Sequence, residues 1–305
     1  MAIIKRHGDN LTILADAPMN FGQRVAHVFL SIGDHLSELW RYRELVRNMV
    51  IRDLKVRYRN STLGVLWSLG NPLLMMLVFT LVFTVMAPGG RGIEKFPVFV
   101  LCGLMPWNMF SASIIGCIGS IVQNAPLVRK VYFPREILPI STVLANLVNF
   151  ALAMIVLFVF ILVFRVPLSI WMLFLPVVVA VQTIFTIGVG LILATANVFY
   201  RDTQVIMDVL VMAWFFMTPI FYPMEMLPQS YVFMGLEINV WRWMYILNPM
   251  ASLVGTYRVI LYGTGFGGAP PAFDFFLRTT VTSLAVLAIG AALFYRYSRV
   301  FGEEV

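Results

Sequence analysis

Charge-free blocks set the rhythm of this chain. No Asp, Glu, Lys, Arg or His stands from 60 to 90, 96 to 128, 137 to 164 or 166 to 200, and Leu, Val, Ile, Phe and Met fill most of those stretches. A hydrocarbon core about 30 Å thick is crossed by roughly 20 apolar helical residues. Only helices and closed barrels leave no backbone N–H or C=O unsatisfied in lipid. The pattern therefore predicts spans at 63–87, 97–122, 138–164, 171–197, 205–222 and 275–295, the fifth barely long enough. The expected fold class is an all-α polytopic membrane protein with six transmembrane helices.

Between and before the spans the pattern changes. Phe21, Val25, Val28, Phe29, Ile32, Leu36, Leu39 and Trp40 recur at three-and-four spacing, with Gln23, Arg24, Asp34, Glu38 and Arg41 on the other side. This periodicity predicts an N-terminal interfacial amphipathic helix; a soluble helix packed on a partner domain is the alternative. Arg52, Asp53, Lys55, Arg57, Tyr58 and Arg59 follow, a density of cations that suits anchoring to anionic headgroups just ahead of the first span. The domain organisation is thus a cytoplasmic tail at 1–20, an interfacial helix and basic lead-in at 21–59, and a transmembrane domain at 60–305.

Two connections stand out. Pro126 and Pro134 bracket Leu127, Val128, Arg129, Lys130, Val131, Tyr132 and Phe133 between spans two and three. That framing predicts one or two helical turns carrying apolar side chains into water. Such side chains either meet a partner or tuck into the headgroups as anchors. The connection at 223–273 mixes Trp241, Trp243, Tyr245, Tyr257 and Tyr262 with the apolar stretch Ala251 to Tyr262, about 18 Å long if helical and too short to cross. It predicts half-embedded external helices between spans five and six; two further spans are the competing arrangement.

Composition and charge sharpen this picture. The chain is 60% hydrophobic and 12% charged, against about 25% charged for soluble proteins. The net charge of +7 reflects cations beside spans rather than a nucleic-acid surface. With the N-terminus inside, sixteen of the twenty-two Lys and Arg residues fall on cytoplasmic segments, so both termini are expected in the cytoplasm. Met1 to Asn20 has neither an apolar core nor a following small-residue cleavage site, so it does not read as a secretory signal. Cys102 and Cys117 lie fifteen residues apart in one predicted helix, about 22 Å along its axis and beyond disulfide reach.

Catalytic chemistry finds little support. No Gly-x-x-x-x-Gly-Lys-Ser/Thr loop occurs, so the chain has no phosphate cradle of the usual kind. Gly263 to Gly268 formally matches Gly-x-Gly-x-x-Gly but has no strand before it. His7, His27 and His35 all lie in the N-terminal arm without cysteines or clustered carboxylates, so no metal site is expected. Within the spans, ionisable residues are nearly absent: Asp208 and Arg278 each sit one turn from an end, where they can snorkel. Aromatics are plentiful instead, among them Trp67, Phe79, Trp107, Phe110, Trp214, Phe215 and Tyr222. They either pack and face lipid, or form flat channel walls along which sugar rings slide.

Several stretches resemble one family. Arg52-Asp53-Leu54-Lys55-Val56-Arg57-Tyr58-Arg59-Asn60-Ser61-Thr62-Leu63-Gly64, Gly103-Leu104-Met105-Pro106-Trp107-Asn108 and Lys130-Val131-Tyr132-Phe133-Pro134-Arg135-Glu136 are similar to the membrane subunits of ABC-2 type polysaccharide exporters. Tyr200-Arg201-Asp202, Thr218-Pro219-Ile220-Phe221-Tyr222 and Asn248-Pro249-Met250 extend the likeness from about residue 40 to the end of span six. The O-antigen exporters look most similar, with capsule and teichoic-acid exporters next. The resemblance implies a homodimer in the bacterial inner membrane with two copies of a separate ATP-binding subunit, moving a lipid-linked polysaccharide outward. It implies no cofactor in this chain, ATP and Mg belonging to the partner. It makes Pro126 to Pro134 the coupling helix, with Arg129, Lys130, Tyr132 and Phe133 as contacts. Arg52 to Arg59 then lie near the substrate entrance, and Trp241, Trp243, Tyr245 and Tyr257 on the external gate. A drug or free-lipid permease and a membrane glycosyltransferase using Glu225 or Glu237 are the competing functions.

Overall fold

The computed structural model describes residues 4–7, 10–13, 41–58, 66–82, 93–167, 169–224, 228, 230–233, 236–263 and 273–305. Near the N-terminus β1 (Ile4–His7) and β2 (Asn10–Ile13) form an antiparallel hairpin in which Ile4 faces Ile13 and His7 faces Asn10. Gly8-Asp9 between them is a two-residue hairpin signal. The expected interfacial helix over Phe21 to Trp40 lies outside the described residues.

The main body contains α1 (Arg43–Tyr58), α2 (Leu66–Leu81), α3 (Phe96–Gly119), α4 (Ala125–Lys130), α5 (Ile137–Val163), α6 (Leu175–Phe199), α7 (Thr203–Met217), α8 (Val240–Leu247), α9 (Pro249–Leu261), α10 (Phe273–Ser298) and α11 (Phe301–Glu304). Among the described residues four helical stretches are long and apolar enough to cross a membrane: Phe96–Gly119, Ile137–Val163, Ile170–Phe199 and Phe273–Ser298. Their ends fall within three residues of the expected spans. Residues 63–65 and 83–87 of the expected first span lie outside the described residues. The fifth is shorter than 205–222, because α7 stops at Met217. Thr218 is extended at φ −100° and ψ 130°, as the residue before a proline must be, and Pro219 has no N–H with which to continue.

Helix α3 is the hub: most of its apolar stretch is buried, whereas most of α10 is not. It packs on α2, α5, α6, α7 and α9. Lipid tails are as apolar as Leu, so burial of greasy surface gives little reason for helices to associate, and close backbone approach and buried hydrogen bonds matter more. Both are present. A Cβ added to Gly188 on α6 would lie 2.6 Å from the Leu287 backbone nitrogen on α10, and a Cβ on Gly290 would run into the Gly188 carbonyl. Gln182 Nε2 donates to the Pro106 carbonyl at 2.8 Å and Asn197 Nδ2 to the Ile118 carbonyl at 2.9 Å, joining α6 to α3 at two depths.

At one end of the body, Lys95 and Arg165 are the non-glycine residues with positive φ among those described, at 52° and 50°. Lys95 Nζ donates to the Arg165 carbonyl at 3.0 Å, tying the entry of α3 to the exit of α5. The same end carries α8 and α9. Their 8 and 13 residues are too few to cross, as expected of short external helices. A second hairpin, β3 (Ser230–Phe233) with β4 (Leu236–Asn239), precedes them and departs from a purely helical expectation. Helix α9 is also enclosed by protein, with Met250, Ala251, Leu253, Val254 and Tyr257 fully buried.

The α6–α10 contact is backbone against backbone, so a methyl group there has no flexible neighbour to displace. Gly188→Ala is expected to destabilise the domain toward the upper end of the about 1–3 kcal/mol typical of overpacking, read as a lowered unfolding midpoint in detergent. An unchanged midpoint would show that the two helices separate at no cost.

Candidate functional site

The proline-framed connection builds a small knob at the end of the body opposite α8 and α9. After α3 the chain makes a 3-10 turn at Val122–Asn124, and α4 follows with Pro126 in its first turn, where its missing N–H costs nothing. Val131 is extended at φ −124° and ψ 134°, which ends α4 after Lys130. An extended stretch turns successive side chains to opposite sides. Tyr132 is 99% exposed and Phe133 only 7% exposed, while Val128 is buried as well. The outward face is therefore Arg129, Lys130, Val131 and Tyr132, with Leu127 half-buried. Phe133, expected as a partner contact, is buried in the isolated chain.

The knob is tied to the basic helix. Asn124 Nδ2 donates to the Ser120 carbonyl at 2.8 Å, and its Oδ1 accepts from Arg52 Nη1 at 2.9 Å. Arg52 also pairs with Asp53 at 2.9 Å, an exposed contact worth little by itself. One turn further along α1, Arg57 Nη1 donates to Asn146 Oδ1 of α5 at 2.8 Å. Arg52 and Arg57 thus reach protein amides, although they, like Lys55, are exposed. The Tyr58 side chain and Arg59 lie outside the described residues. No polar residue in the sequence pattern had marked Asn124 or Asn146 as partners.

Six of the seven expected channel aromatics come together in one network, and the Trp67 side chain lies outside the described residues. Phe110 meets Trp214 edge-on at 5.0 Å and stacks on Phe185 at 5.5 Å. Trp107 touches Trp214 and Phe215, and Phe79 bridges Phe215 to Phe221, which meets Tyr222. Such edge-on and offset pairs contribute about 0.5–1.5 kcal/mol each beyond their burial. Phe110 and Trp107 are buried, whereas Phe79, Trp214, Phe215 and Tyr222 are half-buried. In this conformation Phe110 and Trp107 are packing residues, since a ring without accessible surface cannot touch cargo. Beside Trp214, an open apolar groove of about 730 Å³ runs between α7 and α8, lined by Met207, Leu210, Met217, Trp243 and Leu247.

The far end is organised around polar groups that the sequence pattern understated. Asn248 Oδ1 accepts from Trp214 Nε1 at 2.8 Å and from the Ala251 amide, capping α9, while its Nδ2 donates to Thr218 Oγ1 at 3.0 Å. Arg258 is buried, lies 3.7 Å from the Phe99 ring centroid, and donates to the carbonyls of Ile220 and Tyr222. Its guanidinium fixes the non-helical turn after Pro219 against α3 and α9. A lone arginine inside the apolar stretch Ala251 to Tyr262 was the available signal, because ionisable residues at such positions are costly and seldom idle. Among the expected gate residues, Trp243 is half-exposed, Trp241 and Tyr245 are intermediate, and Tyr257 is fully buried against Phe150. Tyr257 therefore belongs to the packing of α9 rather than to an exposed gate surface. Among the described residues no group of three or more His, Cys, Asp or Glu side chains is placed to hold a metal ion.

Comparison with known proteins places this architecture. The pattern defining the ABC-2 type transporter matches residues 44–262. The chain is 36% identical over 268 residues to the O-antigen export system permease protein RfbA of Myxococcus xanthus, covering 88% of this chain and 98% of that protein. It is 30% identical over 253 residues to a Klebsiella pneumoniae protein of the same name, covering 83% and 91%. It is 24% identical over 260 residues to the polysialic acid transport protein KpsM of Escherichia coli, covering 82% and 92%. With a family match that covers three of its four long apolar helices and its proline-framed knob, the chain belongs to the ABC-2 type transporter family of membrane subunits.

Proposed function

We propose that this chain is the transmembrane subunit of an ATP-driven exporter carrying lipid-linked polysaccharide of the O-antigen class across the bacterial inner membrane. It works as a homodimer with two copies of a separate ATP-binding subunit, which supplies ATP and Mg; hydrolysis is not performed by this chain. Six spans cross the bilayer with both termini in the cytoplasm, after a tail at 1–20 and an interfacial segment at 21–59. The observation that carries the proposal is an exposed, proline-framed knob with Tyr132 at its tip, on a chain similar to O-antigen export permeases over most of its length.

In this mechanism Arg129, Lys130, Val131 and Tyr132 sit in a cleft of the ATP-binding subunit, and the chain's own part is to turn its motion into rearrangement of the helices. Arg52, Asp53, Lys55, Arg57, Tyr58 and Arg59 lie along the entry route of the anionic lipid carrier. The half-buried aromatics Phe79, Trp214, Phe215 and Tyr222 are the surfaces a sugar chain meets once the path opens, and flat faces bind rings weakly enough to release them. Trp241, Trp243 and Tyr245 shape the exit. Capsule polysaccharide is the second cargo, favoured by the similarity to a polysialic acid transport protein.

Two variants test the two ends. Tyr132→Ala removes the most exposed aromatic of the knob, and loss of an interface aromatic that becomes buried typically costs about 2 kcal/mol or more. Co-purification of the ATP-binding subunit is expected to weaken roughly thirtyfold, with membrane insertion intact; unchanged co-purification and transport would remove the knob from docking. At the far end, Arg258→Lys keeps the charge but not the planar fork that reaches two carbonyls and a ring. Hydrogen bonds from a charged donor contribute about 1.5–3 kcal/mol, so surface polysaccharide is expected to fall while the ATP-binding subunit still docks. Wild-type export from this variant would reduce Arg258 to a replaceable cation.

A further inference from the structure

The last five residues have no place in the functions assigned so far, yet they are held firmly. Phe301–Glu304 forms a single helical turn, far below the length at which a helix sustains itself. Its order must come from packing. Phe301 is fully buried and Val305 nearly so. The Phe301 ring meets Phe294 of α10 edge-on at 5.2 Å and Phe199 of α6 at 6.3 Å, and Phe199 in turn meets Tyr297 at 5.4 Å. The turn is therefore plugged into the joint between α6 and α10, the pair whose backbones approach at Gly188 and Gly290. On its other side it packs against α4 of the knob. Gly302 also lies beside the Arg135 guanidinium, so that an added Cβ would come 3.4 Å from Nη2.

We propose that Phe301 is a positioning residue for coupling: the turn it anchors braces the knob and carries the knob's movement directly into the α6–α10 pair. The inference rests on the reading of the knob as the docking point of an ATP-binding subunit. Without the brace, a displacement of α4 reaches the spans through its covalent neighbours, α3 and α5, and through the Arg52–Asn124 contact with α1. With it, the knob is clamped from two sides, by Arg52 on Asn124 and by the Phe301 turn on α4. The second clamp reaches helices that the knob does not touch in sequence.

The brace can be tested in the isolated full chain, with no partner present. Cys102 and Cys117 are both fully buried, so a nitroxide reagent reacts selectively at Tyr132→Cys. Adding Phe301→Ala is expected to raise the mobility of that label, and Phe301→Leu, which restores most of the apolar volume, to return it toward the unsubstituted value. A label at Ile170→Cys, exposed at the far end, is expected to stay unchanged. Unchanged mobility at 132, or equal rises at both positions, overturns the brace, the latter by showing general loosening. In the assembled complex with native Tyr132, Phe301→Ala is expected to lower export at least about tenfold, given how much packing a buried Phe→Ala removes, while the ATP-binding subunit still co-purifies. Full export with a mobile knob would equally overturn the inference. Failure of the unsubstituted chain to bind an ATP-binding subunit would instead strike at the docking role and leave the mobility result standing.

Discussion

Lipid is the solvent for most of this chain, and that fact governs what can hold it together. Exclusion of apolar surface from water orders the spans across the bilayer but does little to choose their neighbours. The choice falls to a few contacts that only particular residues can make. Gly188 against α10 removes side chains so that two backbones can meet. Gln182 on Pro106 and Asn197 on Ile118 place amides where lipid offers no alternative partner. Central α3 receives both hydrogen bonds and, packed on five other helices, is the most enclosed of the long helices.

The two ends of the body use that rigid centre differently. At the knob end, side chains are arranged so that a short exposed helix is held by its base: Phe133 and Val128 point inward, Asn124 is gripped by Arg52, and Phe301 closes the far flank. The tip is left to Tyr132. At the opposite end, the chain breaks out of α7 at Thr218-Pro219, and the freed carbonyls of Ile220 and Tyr222 are met by Arg258. Irregular backbone at such a depth survives only where protein satisfies it. Asn248 performs the same service for Trp214, Thr218 and the first turn of α9. The helices α3 and α5 that flank the knob, and the α6–α10 pair, connect the two ends.

Much of the architecture was legible in the sequence because charge-free runs of helical length have few other solutions. The positions of four long apolar helices and the short knob helix follow from that pattern and from proline placement. What the pattern could not carry was direction. Around a helix in lipid every face is apolar, so spacing does not say that Phe110 is enclosed while Trp214 is half-buried. Tyr132 and Phe133 are neighbours of similar character, and only the extended backbone after Lys130 sends them to opposite sides. Arg258 was counted for topology by its charge, whereas its role depends on carbonyls released by a helix break some forty residues earlier in the chain. The two hairpins were missed because four-residue strands give too short an alternation to register beside long helical runs.

The central claim is that the knob faces the cytoplasm and is covered there by an ATP-binding subunit. A membrane-impermeant thiol reagent applied to Tyr132→Cys in sealed vesicles of both orientations addresses it directly, since Cys102 and Cys117 are buried. The account expects labelling only where the cytoplasmic side is exposed, and protection when the ATP-binding subunit is present. Labelling from the opposite side, or labelling that the subunit leaves unaltered, would contradict it.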